Sequence, residues 1–280
     1  MYRARDSKLG RMVAIKILTE AGMADQEAHA RFLAEARLTG SLVHENIIAF
    51  YDYGQEGGQS FLVMEYFNGE SLGAAIRGRR AGDLRNKLLI ARQIANGLAY
   101  VHSKGIIHRD VKPDNVWIDS AGNVKIIDFG VAKTGEFSIT AAGFTLGTPY
   151  YMAPEQVRGD SPTPQVDIYA FGVLLFELVT GTRPFEGQTV NEIFDRILHQ
   201  ALNLEPLKKA GSPDAVSDLI HGCTAKDAAL RTQDFSIVTA KIDEILRRMP
   251  ERGLCRRWVL IAAGTALVAL VALAIYIVLR

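Results

Sequence analysis

The sequence predicts an α+β fold in two lobes, a small β-rich one followed by a larger helical one, with a membrane-crossing helix at the carboxy-terminal end. Three observations predict it. Short β-branched runs separated by glycine turns fill the chain up to about residue 70. Apolar residues at helical spacing dominate thereafter. Finally, Trp258 to Leu279 reads WVLIAAGTALVALVALAIYIVL without a charge. With 280 residues, 48% hydrophobic and 22% charged, the chain can bury a large core, which excludes a disordered chain or a disulfide-held miniprotein.

In the first lobe, residues 1–67, Met12–Leu18 (MVAIKIL) predicts a strand with Leu9-Gly10-Arg11 as the turn before it. Asp25–Leu38 predicts a helix, because acidic residues lead it and Phe32, Leu33 and Ala36 fall on neighbouring turns. Ile47–Tyr53 and Phe61–Tyr66 predict two more strands joined by a Gly54–Gly58 turn, and Asn68-Gly69 closes the lobe. In the second lobe, residues 68–248, Ile90, Ile94, Leu98 and Val101 recur at helical spacing, with Gly105 as the stop. Val166–Val179 is apolar almost all round, as a buried central helix should be. Pro213–Cys223 and Phe235–Leu246 predict further helices.

Residues 249–257 form a basic juxtamembrane segment and 258–279 the membrane helix. At about 1.5 Å per residue, this stretch spans roughly 33 Å, enough for a bilayer core. Trp258 and Tyr276 stand near its ends, where amphipathic rings favour the interface. Arg247, Arg248, Arg252, Arg256 and Arg257 precede it and only Arg280 follows, so the positive-inside rule keeps residues 1–257 in the cytoplasm, under a cell (inner) membrane. No cleavable signal opens the chain. Residues 241–257 carry six basic and three acidic side chains, a topology signal with some attraction to anionic lipid. Ala262 and Ala266 give the small-residue spacing through which a homodimer can form. A net charge of +1 argues against a nucleic-acid partner. Two separated cysteines, Cys223 and Cys255, indicate a reducing compartment.

The chemistry sits in His108-Arg-Asp-Val-Lys-Pro-Asp-Asn115, followed by Val124-Lys-Ile-Ile-Asp-Phe-Gly130, with Val13-Ala-Ile-Lys16 upstream and Ala153-Pro-Glu155 downstream. Four motifs in this order resemble the protein kinase family, and GTPYYMAPEQ (147–156) is most similar to its bacterial serine/threonine members. The resemblance covers residues 2 to about 248. It implies a bilobal kinase-like fold, ATP with Mg²⁺ (Mn²⁺ as the alternative) and protein substrates with serine or threonine acceptors.

The residue types suit that chemistry, because phosphoryl transfer needs positioning and charge neutralisation more than covalent help. Asp110 is the carboxylate to orient the acceptor hydroxyl and take its proton. Asn115 and Asp128 offer oxygen ligands to Mg²⁺. Lys112, two residues past Asp110, is a point charge for the transferring phosphate. The resemblance further implies that Lys16 holds the α- and β-phosphates with Glu35 as its partner. It implies that Ala14 lies above the adenine ring, that Met64 guards the back of the pocket, and that Glu65 and Phe67 form the hinge. Val131–Met152 becomes the activation loop, with Ser138, Thr140, Thr145 and Thr148. Thr140 or Thr145 is the expected phosphosite, paired with Arg109, and Thr148 is expected near the substrate hydroxyl. Glu155 with Arg231, and Asp167 against the catalytic-loop amides, are expected scaffold contacts.

Two departures stand out. The glycine-rich strand and turn that the family sets just before Tyr2 does not appear in the sequence, which begins at Met1, so the small lobe is expected to lack its first strand. Trp117 stands where the family has an aliphatic adenine floor; an indole there either stacks on the base or overfills the slot. Three readings follow: a working membrane-anchored kinase, a catalytically weak kinase-like scaffold, and a tethered interaction module that uses no nucleotide.

Overall fold

The computed structural model of the chain describes residues 1–19, 25–128 and 149–250, the side chains of Glu27, Arg31, Ala34 and Glu35 excepted. Residues Met1–Asp243 form one compact unit.

Its small lobe is a four-stranded antiparallel sheet, β1 (Tyr2–Arg5), β2 (Met12–Ile17), β3 (Phe50–Glu56) and β4 (Gln59–Glu65), in the order β1-β2-β4-β3, with helix α1 (Gln26–Thr39). The β1–β2 turn is built by Asp6, whose carboxylate accepts from Lys8 N at 3.0 Å and Leu9 N at 3.1 Å. Along β4 alternate residues Ser60, Leu62 and Met64 point inward, the period-2 pattern of a half-buried strand. Leu62 and Met64 join Ala14, Phe32, Ala36 and Ile48 in the lobe's core.

The strand predicted over 47–53 is displaced to Phe50–Glu56. β3 begins at Phe50, while the preceding Ile47 and Ile48 are buried and their backbone pairs with Ile126 of the other lobe. Ile47 bridges Ile126, Ile48 N donates to Ile126 O at 2.9 Å, and Ile126 N donates to Asn46 O at 2.8 Å. A short apolar run carries no record of which backbone it will pair with. The turn is also shorter than Gly54–Gly58. It is made by Gly57 and Gly58, at φ +56° and +78°, as a two-residue hairpin demands. Gly54 stays inside β3 because the Phe61 ring covers it; a Cβ there would lie 2.3 Å from the ring.

The large lobe is helical: α2 (Leu72–Arg77), α3 (Leu84–Ser103), α4 (Pro154–Arg158), α5 (Gln165–Thr180), α6 (Val190–His199), α7 (Glu205–Lys209), α8 (Asp214–Cys223) and α9 (Phe235–Arg248). A second sheet, β5 (Glu70–Ser71), β6 (Val116–Ile118) and β7 (Val124–Ile126), lies within it. Ile90, Ile94, Leu98 and Val101 of α3 are all buried, and α5 is buried from Val166 to Val179. The sequence reading missed β5–β7 and helices α2, α4, α6 and α7. For α6 the signal was present: Thr189 caps the helix by accepting from Glu192 N at 3.2 Å, and Glu192 reaches back to Gln188 N at 2.9 Å, close to a capping box.

The second unit, Glu244–Arg280, is represented by the last turn of α9, where Arg248 pairs with Glu244. Among the described residues no helix is long and apolar enough to cross a membrane; the predicted span 258–279 lies outside them, as does most of the basic segment before it.

Candidate active site

The site grows from two helix ends. After α3 the chain turns at Gly105 and runs as an extended loop to Lys112. A 3-10 turn, Pro113–Asn115, then leads into β6. Asp167, in the first turn of α5 and fully buried, holds this loop. Its carboxylate accepts from His108 N at 2.7 Å and Arg109 N at 2.8 Å, and lies 2.8 Å from His102 Nε2 of α3. Arg109 sits at φ +65°, a left-handed conformation that costs a non-glycine residue about 1–2 kcal/mol. The charge-assisted hydrogen bond to its N–H offsets that strain.

One residue further, Asp110 Oδ2 receives Lys112 Nζ at 2.8 Å and Asn115 Nδ2 at 3.0 Å. Asn115 Nδ2 also donates to Asp110 O at 2.9 Å. The amide nitrogen is thereby committed to Asp110, which leaves Asn115 Oδ1 as an acceptor for a cation. Asn115 O accepts from Ile127 N at 3.0 Å, so the residue before Asp128 is pinned to the same loop. Asp128 Oδ1 in turn lies 2.9 Å from Lys16 Nζ of β2. The structure thus gathers Asp110, Lys112 and Asn115 into one hydrogen-bonded group, and joins it through the Asn115–Ile127 backbone bond to the Asp128–Lys16 pair.

Among the described residues no three His, Cys, Asp or Glu side chains are arranged to hold a metal ion. The donor set that Asn115 and Asp128 provide, one amide oxygen and one partly exposed carboxylate, is made of hard oxygen ligands. It fits Mg²⁺, which keeps waters and substrate phosphates as its other ligands.

In the small lobe, Ala14 and Met64 are buried and are register partners across β2 and β4, and Phe67 packs on the same core. Trp117 lies half-buried on β6, opposite Ser71 and Lys125. The Glu65 carboxylate accepts from Ala49 N at 3.1 Å and pairs with Lys125 Nζ at 2.8 Å. The sequence reading did not find that ion pair, nor His102 beside Asp167. Each joins residues sixty or more positions apart, beyond the reach of any local pattern.

Glu155 of α4 and Arg231 form a buried bidentate pair at 2.5 and 2.7 Å, and Arg231 also donates to Ala225 O, Gln165 O and Lys226 O. Tyr151 donates to Glu177 of α5. Burial, with Glu177 next to it, pushes the Tyr151 phenol up, so it stays a donor. Glu35 lies on α1, but its side chain is outside those described; Ser138, Thr140, Thr145 and Thr148 lie outside the described residues.

The family profile for the protein kinase domain matches residues 1–242. The chain belongs to the protein kinase family. Its kinase domain is 39% identical over 243 residues to the serine/threonine-protein kinase PrkC of Bacillus subtilis, covering 86% of this chain and 38% of that protein. It is 38% identical over 240 residues to the probable serine/threonine-protein kinase PknB of Lactococcus lactis, covering 84% and 38%, and 37% identical over 237 residues to PknA of Mycobacterium tuberculosis, covering 82% and 54%. The chain thus spans about two fifths to half the length of these relatives. A crystal structure of Rad53 1-466 in complex with AMP-PNP superposes with a TM-score of 0.70 at 27% identity, over 86% of this chain and 60% of that one. The likeness extends the family assignment to the two-lobed architecture.

Proposed function

We propose that this chain is a serine/threonine protein kinase that transfers the γ-phosphate of ATP to protein hydroxyls, its own included, while anchored to the membrane with the kinase domain in the cytoplasm. The observation that carries this reading is the Asp110 carboxylate, held by Lys112 and Asn115 and joined through the Asn115–Ile127 backbone bond to the segment that bears the Lys16–Asp128 pair. The relatives' names as serine/threonine kinases and the AMP-PNP in the Rad53 complex support it.

Asp110 orients the acceptor hydroxyl and takes its proton as the oxygen bonds to phosphorus and the bond to the ADP oxygen breaks. Lys112 and Lys16 supply positive charge to the phosphate oxygens, where negative charge spreads in the transition state. Asn115 and Asp128 would hold Mg²⁺, which supplies further neutralisation of the triphosphate. Ala14, Met64 and Trp117 form apolar surface for the base, with the hinge at Glu65 and Phe67. Glu35 is the partner assigned to Lys16 during turnover. Phosphorylation at Thr140 or Thr145 would give Arg109 a bidentate partner. Residues 258–279, uncharged and flanked by arginines, serve as the anchor, and Ala262 and Ala266 offer a dimer face.

The test is phosphate transfer from ATP and Mg²⁺ by the full chain to itself and to a generic serine/threonine substrate. Transfer that vanishes in Asp110→Ala supports the enzyme. Nucleotide binding without any transfer would mark a kinase-like scaffold instead. Partition of the chain into carbonate-washed membranes, lost when 258–279 are deleted, supports the anchor.

A further inference from the structure

Away from the catalytic loop, a cavity of about 270 Å³ opens where the end of α2, the chain reversal that follows it, the start of α3 and the end of α5 meet. Its apolar lining is Ile76, Ala81 and Leu178, all largely buried. Its rim carries Arg79 and Lys87, with Thr180 beside them.

The surrounding stretch, Arg77 to Lys87, holds five basic residues and one acidic one, but those charges are not equivalent. Arg80 pairs with Glu70, and Arg77 lies 3.9 Å from Asp114. Arg79 and Lys87, the two that face the cavity, make no ion pair among the described residues. Lys87 Nζ donates to Val179 O at 3.0 Å, a carbonyl of the last turn of α5, which uses one of its three donors. Asp83, whose charge acts on Lys87 from further off, caps α3 by accepting from Asn86 N at 2.9 Å. Burial pushes the Lys87 ammonium down from its ordinary value, the behaviour of a cation lacking a close counter-charge. Arg79 sits at φ +55°, where glycine would be relaxed. What an arginine adds at such a position is its guanidinium.

Apolar side chains beside two cations that make no ion pair among the described residues are complementary to an amphiphilic anion. We propose that this cavity binds a small organic acid, with its apolar body on Ile76, Ala81 and Leu178 and its carboxylate between Arg79 and Lys87. At the ~30 Å³ of a water-sized unit, the volume admits about eight or nine heavy atoms. The inference does not depend on phosphoryl transfer. The cavity lies at the amino-terminal end of α3, whereas the catalytic loop follows its carboxy-terminal end, so the acid and a nucleotide occupy different places.

Hexanoate is the probe, titrated into the full chain carrying labelled isoleucine and leucine methyl groups. Saturable shifts at Ile76 and Leu178 are expected, with a dissociation constant on the order of 1 mM. Hexanol should bind at least about tenfold more weakly, and Lys87→Met and Arg79→Gly should each weaken hexanoate by about tenfold. The second variant suits the left-handed backbone and so tests the guanidinium without threatening the fold. Binding should persist under saturating AMP-PNP. The proposal is overturned by an absence of saturable shifts at these two methyl sites, by equal affinity for hexanol, by unchanged affinity in both variants, or by competition with the nucleotide analogue.

Discussion

Lys16 Nζ lies 2.9 Å from Asp128 Oδ1, so a cation on the small-lobe sheet and a carboxylate just past β7 neutralise one another across 112 residues of chain. Both side chains remain about a quarter to a third exposed, which limits the pair's weight in folding to about 1 kcal/mol or less. Its importance is then expected in catalysis. Lys16→Met and Asp128→Asn should shift the urea midpoint little, yet each should lower phosphate transfer by at least about 100-fold. Loss of stability matching the loss of activity would assign the pair to the scaffold instead.

Asp167 makes the opposite prediction, because it is fully buried and serves two backbone donors and His102. Asp167→Ala leaves those donors unsatisfied, a loss of about 3 kcal/mol or more by chemical denaturation. Arg109→Gly keeps the hydrogen bond and removes the left-handed strain, so its stability should stay within about 1 kcal/mol of the parent. Equal destabilisation by the two changes would show that the Arg109 side chain, not the loop backbone, is what Asp167 organises.

The Glu155–Arg231 pair tests what a buried charge costs when left alone. Arg231 has a fully buried side chain with donors to Glu155 and three carbonyls. Arg231→Ala strands the Glu155 carboxylate and should cost about 3–5 kcal/mol. Arg231→Met with Glu155→Leu, which removes both charges at similar volume, should recover part of that loss in a double-mutant cycle. Full additivity of the two single changes would argue that the ion pair itself contributes nothing.

How much of this was legible in the sequence follows from where the partners lie along the chain. His108–Asn115 could be read because its chemistry is contiguous: Asp110, Lys112 and Asn115 meet within one loop and a 3-10 turn. The long helices α3 and α5 could be read because one shows helical spacing and the other is apolar all round. Ile47 and Ile48 misled, since their apolar character fits a strand as well as it fits the backbone pairing with Ile126 that they make. The Lys125–Glu65 pair was hidden for a different reason. Each residue reads as an ordinary alternating polar position on its strand, and only the stitching of residues 46–48 onto β7, with Ala49 paired to Glu65, brings them together. Local pattern reports burial; it does not report which distant charge will share it.

Lys226 gives a prediction in pH. Its Nζ donates to Ile197 O and lies 4.2 Å from the centre of the Phe185 ring. Burial, and then the Arg231 charge, push its ammonium down to about 8. The unfolded chain, with lysine at its ordinary higher value, therefore binds more protons between pH about 8 and 10.5, so this group's contribution to stability rises with pH across that window. Below about 8 the folded state carries the full penalty of the buried cation. Because much of the side chain keeps solvent contact, the effect should be discounted to about 1 kcal/mol. Lys226→Met removes the titrating group while keeping the packing on Phe185. The stability difference between the parent and this variant should therefore move by about 1 kcal/mol in the parent's favour from pH 7.5 to 10. Using the difference cancels the other groups that titrate in the same range. Parallel urea-midpoint profiles for the two proteins would mean that Lys226 titrates alike when folded and unfolded, and that its contacts with Ile197 and Phe185 fully replace the water it loses.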